Sequence, residues 1–437
     1  MNIFTFTFFL LHADKLGIDI LDFNVRLYYF FSIPLVTYFI FFKKLSLINF
    51  DKLIWILLLI LYTFLSSLWS LDAQRTLAMS GLAAITIYTS FLLPHAIVER
   101  YGPIKTIRWF VLASILVGTY GILQTLFSII GFNDPFADQV FQNGLVRAGA
   151  FAYEPSFYLL FLVPSSVIVI VSQIVRQKNQ LSFSLITAVY ITICFLVSMS
   201  ATSIFLIPII FFSFLFLKTL LTNSNDTFLS SINFFGFIKF FIPISFIFIL
   251  LIILYGDLSA SYFLRVFLVG DITQHHSTAE RFVQIYNAYI VFFDAPFFGH
   301  GLGGVGQYIH DRYLQGDYFL FSPSRPFFID PSPRFFDPTN VTIEMLSSYG
   351  IFGSLLYLYG FIRIIFTSIF LIKDHNVVDE ERYIAFTLLL AFIITIFFLN
   401  VNSGLFRTYI WFMLGLLDAT IAIIIRDNKK KYDYKRN

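Results

Sequence analysis

Apolar stretches of about 17 to 24 residues, each closed by lysine or arginine, follow one another along most of the chain. Each is long enough to cross a bilayer as a helix, which satisfies its own backbone hydrogen bonds where no water is present. Spans are predicted at residues 2–12, 27–42, 53–70, 76–98, 107–131, 155–175, 182–198, 202–220, 235–254, 341–372, 382–400 and 404–425, which makes about twelve. The pattern predicts an all-α polytopic membrane protein. The opening residues MNIFTFTFFLLHADK lack a basic leader and a small-residue cleavage site, so they are expected to stay as a first span.

The polar connections divide the chain into three parts. Residues 1–254 are expected to form a membrane bundle with one polar loop at 132–154. Residues 255–340 form a segment too long for a mere connector. Residues 341–437 hold the last spans and a basic tail. One set of connections carries most of the cations, among them Lys43, Lys44, Arg100, Lys105, Arg176, Lys178, Lys373 and the tail RDNKKKYDYKR. That set is expected to face the cytoplasm by the positive-inside rule. The other short connections hold only Lys15, Arg26, Arg75, Arg147 and Arg407. Both termini are then cytoplasmic, and the 132–154 loop and the 255–340 segment lie outside.

Composition agrees with this pattern: 58% of residues are hydrophobic, 13% are charged, and 59 are phenylalanine, which excludes an ordinary soluble domain. A net charge of +3 makes nucleic acid an unexpected partner. The single cysteine, Cys194, excludes an intramolecular disulfide and any multi-cysteine metal site.

Candidate chemistry concentrates in the two outer segments. In RAGAFAYEPSFYLL, proline suits a first helical turn and restricts the residue before it, so a span is predicted to start at Pro155. Glu154 is then at the mouth of that span, preceded by Tyr153 and, seven positions back, by Arg147. One reading has Glu154 satisfying the free N–H groups of the helix start. The other has it as a buried acid that orients or deprotonates a hydroxyl.

In the long segment, HHSTAERFVQIYNAYIVFF carries Ser277 and Glu280 at capping-box spacing, which predicts an amphipathic helix near 278–293 lying against the membrane. Arg281 falls in its first turn, where exposed N–H groups attract anions. With Arg147, Arg325 and Arg334 it offers bidentate donors for a phosphate, although each is equally well read as a solvated surface arginine. The GxGxxG match at Gly301, Gly303 and Gly306 has no βαβ unit around it, so the glycines, with Gly299, are read as a tight loop that brings backbone close to a ligand or to a helix beneath. His300 in that loop is a candidate base or substrate contact. His275, His276 and His310 show no metal-ligand spacing, and no metal is expected. In DPTNVTIEMLSSYGIFG, Asp337, Thr339 or Asn340 can cap the next span, and Asn340, Glu344 and Ser348 form a polar stripe at i, i+4 and i+8. Such a stripe must face protein or a water-filled cavity, and Gly350 and Gly353 permit close packing.

These pieces taken in order resemble the O-antigen ligase and O-antigen (Wzy-type) polymerase superfamily of bacterial envelope glycosyltransferases. The resemblance rests on the span count, on RAGAFAYEPSF, on STAERF followed by DAPFFGHGLGG, and on TN-x9-G-x-x-G at 339–353. It implies a large periplasmic segment between late spans of an inner-membrane protein, and an active site facing the periplasm. It also implies metal-independent glycosyl transfer, with no cofactor, from an undecaprenyl-diphosphate-linked oligosaccharide, with arginines holding the diphosphate. Membrane lipid and a chain-length regulator are the further implied partners. The ligase pattern has histidine where this chain has Thr339, and threonine cannot act as a base near neutral pH. With Glu-Pro-Ser at 154–156, this favours a polymerase in which Arg147 and Arg281 stabilise the leaving group and Glu154 orients or deprotonates the acceptor hydroxyl, with His300 as a second candidate for that role and Asn340 as a hydrogen-bonding neighbour. The alternatives are a ligase acting on the lipid A core and, in another class, a flippase or transporter for lipid-linked oligosaccharide, to which Arg363 and Asp418 are the only pointers.

Overall fold

The computed structural model describes residues 2–20, 23–43, 46–132, 134–136, 148–174, 181–198, 201–221, 276–314, 338, 340–400 and 404–436. Among them, 13 helices and one hairpin follow in chain order. They are α1 (Ile3–Leu10), β1 (Gly17–Ile20), β2 (Phe23–Arg26), α2 (Leu27–Lys43), α3 (Phe50–Leu65) and α4 (Ala73–Tyr101). Then come α5 (Pro103–Ile129), α6 (Pro155–Ile174), α7 (Leu185–Leu196), α8 (Ala201–Leu221), α9 (His276–Asp294) and α10 (Gly304–Leu314). The chain closes with α11 (Val341–Lys373), α12 (Asp379–Leu399) and α13 (Thr408–Arg436).

Seven of these helices are long and apolar enough to cross a membrane: α3 extended by a turn to Leu68, α4, α5, α6, α11, α12 and α13. The expected twelve are not reproduced. Helix α1 has 8 residues, α2 and α7 are shorter apolar helices, and of the 21 residues of α8 only Ile209–Leu221 have described side chains. The predicted span 235–254 lies outside the described residues. The physical reason is that an apolar run reports side-chain preference, not how much of the run winds into one helix. The run in α1 stops in a turn at Leu11, whereas α2 winds through its whole run, Pro34 included, and reaches only 17 residues.

Burial separates the spans. In the central apolar windows of α6, α12 and α13, 83% of residues are buried, against 33% in α3 and 39% in α11. Helix α6 packs on α12, and α13 packs on α12 and on the second half of α4. One apolar core therefore joins residues from Phe4 to Ile424. Helices α3 and α11 pack together at the edge and turn Leu57, Leu58, Leu61, Phe352, Leu355 and Phe366 outward. Each such side chain favours lipid over water by roughly 1.5–3 kcal/mol, so this stripe is the surface a bilayer covers.

Helix α11 is broken at Gly350, whose φ is 62° and ψ is −167°. The segment after α9 fills the break. Ile351 and Phe352 donate their N–H groups to the carbonyls of Pro296 (2.7 Å) and Phe297 (3.2 Å), and His300 and Gly301 donate theirs to Ser347 and Ser348 (both 2.9 Å). The Tyr62 hydroxyl donates to the Tyr349 carbonyl at 2.7 Å. Only glycine fits on either side of this seam: a Cβ at Gly350 would lie 2.4 Å from the Phe297 backbone, and one at Gly299 would lie 2.4 Å from that of Ser348. The glycine-rich stretch thus forms the expected close loop over a helix. Helices α9 and α10 enclose a small core of their own, Ala288, Val291, Val305 and Ile309. The helix predicted at 278–293 starts at His276, and the side chains of Ser277 and Glu280 lie outside the described residues.

Candidate functional site

Helix α6 starts at Pro155, as its sequence predicts, with Glu154 immediately before it. The Glu154 carbonyl accepts the Phe157 (3.0 Å) and Tyr158 (3.3 Å) N–H groups, and its carboxylate accepts the Ser156 hydroxyl at 2.8 Å. Glu154 is half-buried and Tyr153 is exposed. Gln124, inside α5, clamps the turn that presents them: its amide oxygen accepts the Gly149 (3.2 Å) and Ala150 (2.7 Å) N–H groups, and its amide nitrogen donates to the Ala150 carbonyl (3.0 Å). Ala150 holds a φ of 48°, a left-handed conformation rare outside glycine, which such a clamp can sustain. The Phe151 ring stacks on Tyr120 at 4.4 Å.

The same turn reaches the first connection of the chain, where the Lys15 N–H donates to the Phe151 carbonyl at 2.8 Å. The β1–β2 hairpin, which the apolar pattern does not predict, sets Arg26 opposite Gly17 and so returns Arg26 towards Asp14. The Asp14 carboxylate, buried, is held by Arg26 at 3.0 Å and by Arg407 at 3.3 Å. Arg407 also places its guanidinium over the Phe157 ring, 3.6 Å from the centroid, three positions beyond Glu154. The Thr408 hydroxyl donates to the Leu11 carbonyl (3.0 Å) and accepts from Arg26 (2.9 Å), tying α13 to α1. Burial alone would pull the Arg26 guanidinium down, but Asp14 and nearby tyrosines outweigh it and hold the group above its usual value.

Two guanidinium groups around one carboxylate leave this cluster with a net charge of +1 (two positive, one negative). The arrangement suits an anion. Sequence reasoning places neither Arg26 nor Arg407 in a site. The available signal was that both belong to the few cations on the sparsely charged set of connections.

The remaining candidates divide. Arg147, Arg325 and Arg334 lie outside the described residues, as does Thr339, and so does the side chain of Arg281 on α9. Asn340 caps α11: its side chain accepts the Ile343 N–H at 3.0 Å and donates to the Asn400 carbonyl at 2.6 Å. Glu344 accepts the Leu405 N–H at 3.3 Å. The polar stripe of α11 thus faces the connection between α12 and α13, the same connection that delivers Arg407. His300 contacts the Val291 carbonyl through Nε2 at 3.1 Å and packs its ring on Tyr308 at 4.2 Å. Val291 is within the last turn of α9, whose carbonyls have no partner inside the helix, so His300 closes that helix end. Burial lowers its pKa below the ordinary value, which keeps it neutral.

No family model matches this sequence, and neither does any curated protein.

Proposed function

We propose that this protein is an inner-membrane polysaccharide polymerase that joins undecaprenyl-diphosphate-linked repeat units at the periplasmic face. The observation that carries this reading is one end of the bundle where Glu154, at a helix mouth, lies three positions from a ring capped by Arg407 of a net-positive cluster. A carboxylate and anion-seeking guanidinium groups at one place are what glycosyl transfer from a lipid diphosphate requires. In the proposed reaction the acceptor hydroxyl oxygen attacks the anomeric carbon of the growing chain. The bond from that carbon to the diphosphate oxygen breaks, and the lipid diphosphate leaves with the electron pair. Glu154 orients the hydroxyl and receives its proton, and Arg147 and Arg281 stabilise the charge developing on the leaving group.

The test is purified protein supplied with lipid-linked repeat units alone. Chain growth without a lipid A core acceptor is expected, and it separates polymerase from ligase. Glu154→Gln and Arg281→Ala are expected to leave a folded protein that yields single repeat units only. Full-length chains from both variants would sink the assignment. Movement of the lipid-linked unit across the bilayer with no chain growth would instead favour a flippase, for which the break in α11 at Gly350 is the one structural argument.

A further inference from the structure

Against the Arg26–Asp14–Arg407 cluster lie two buried polar side chains, each with an atom that has no partner among the described residues. His12 is 2% exposed and Tyr409 is 1% exposed. Neither His12 Nε2 nor the Tyr409 hydroxyl has a hydrogen-bond partner among the described residues. Both rings pack on Phe161, with centroids 5.1 Å away for His12 and 6.4 Å for Tyr409. Both also feel the charges of Asp14 and Arg26, and the Tyr409 hydroxyl feels Arg407 as well. Burying an unpaired polar atom costs about 1–3 kcal/mol, so two against one charge cluster call for an occupant.

The chemistry of that occupant follows from the donors. Of the five N–H groups on each guanidinium, Arg26 commits its NH1 to Thr408 and its NH2 to Asp14, while Arg407 commits its NH1 to Asp14. Their side chains keep 13% and 17% exposure, so the cluster is reached from the surface while Asp14, at 4%, is not. Surplus positive charge, spare planar donors and a phenol hydroxyl match the three or four oxygens of a phosphate group.

We propose that Arg26, Arg407, Tyr409 and His12 form a phosphate-binding site, with the arginines at its mouth and Tyr409 and His12 at its floor. The site stands whether or not the protein polymerises glycans. If it does, two lipid-diphosphate molecules must be held at once, and this is the seat for the one that Arg147 and Arg281 do not hold.

Full-length protein in neutral detergent, titrated with inorganic phosphate and pyrophosphate by calorimetry, tests for a free or substrate phosphate. Protein reconstituted in phosphatidylcholine vesicles with and without phosphatidylglycerol, read by thermal midpoint, tests for a lipid headgroup. Binding or stabilisation in either arm is expected, and absence of both in the wild type overturns the proposal. Tyr409→Phe keeps both guanidinium groups and removes only an unpaired hydroxyl. It is expected to raise the thermal midpoint of ligand-free protein while weakening phosphate binding about tenfold. Unchanged affinity in Tyr409→Phe overturns the proposal too. Arg407→Gln is expected to weaken binding by on the order of a hundredfold. Wild-type protein that binds phosphate yet grows no chain from lipid-linked repeat units would defeat the polymerase reading and leave this site standing.

Discussion

Two buried aspartates in this protein are each held by two basic side chains, and they have opposite characters. Asp418 lies ten positions past Thr408 on α13, about 15 Å along the helix. Its carboxylate oxygens are taken by Lys52 at 2.6 Å and His95 at 2.9 Å, and the other ring nitrogen of His95 meets the Phe91 carbonyl at 2.8 Å. No atom of that group is left unpaired among the described residues. Around Asp14, by contrast, Tyr409 and His12 have unpaired atoms and the guanidinium groups have donors to spare. A closed cluster of this kind holds helices together. An open one, with positive charge to spare, leaves donors that an anion from outside can take.

Removing either carboxylate tests this contrast most severely. Asp418→Ala and Asp14→Ala each strand buried basic groups, and each is expected to destabilise by about 3–5 kcal/mol, read from thermal or denaturant unfolding in detergent. The two should then part company. Pyrophosphate at a hundred times its dissociation constant is expected to restore about 2.7 kcal/mol to Asp14→Ala, where an anion can bridge the freed arginines, and nothing to Asp418→Ala. Rescue of both, or of neither, would erase the distinction.

A gentler pair of substitutions sharpens the contrast. The Tyr29 hydroxyl is buried and bonded to the Thr86 hydroxyl at 2.8 Å, so Tyr29→Phe should cost about 1 kcal/mol. Tyr409→Phe should gain a similar amount, because it deletes a hydroxyl that has no partner. The smallest effect is a pH dependence that belongs to neither cluster. The folded protein holds the pKa of His300 below 6.5, so unfolded chains bind the extra proton first. Stability from His300 is complete above pH 6.5 and is lost as pH falls towards the lowered value. Unfolding midpoints measured from pH 7.5 to 5 should show this slope in the wild type and less of it in His300→Gln.

Local features of the site were legible in the sequence. Proline at 155 fixed where α6 begins and put Glu154 just outside it. Asn340 was one of three candidate caps for α11, and it takes that position with its side chain on the Ile343 N–H. The stripe that follows had to face protein or a water-filled cavity, and Glu344 meets the Leu405 backbone. Each inference needed only a few neighbouring residues, because proline geometry, capping and helical periodicity act over one or two turns. The number of spans was less legible, since hydropathy does not tell where a helix stops inside an apolar run. The glycine-rich setting of His300 suggested a base or a substrate contact, and gave no sign that its ring also meets the Val291 carbonyl at the end of α9.

What the chain determined by itself is a membrane protein, its apolar stripes, and the places where helices open on charged or capping residues. These follow from the cost of exposing backbone and charge to lipid, which every stretch carries alone. Which charges meet is a different matter. Asp14 and Arg407 are 393 positions apart, and Arg26 joins them only because an unforeseen hairpin turns the chain back. A pairing of that kind depends on the packing of α1, α6 and α13 together, and no local preference encodes it. Tertiary structure alone therefore decided that the cations worth attention include Arg26 and Arg407, and that His12 Nε2 and the Tyr409 hydroxyl beside them have no partner among the described residues.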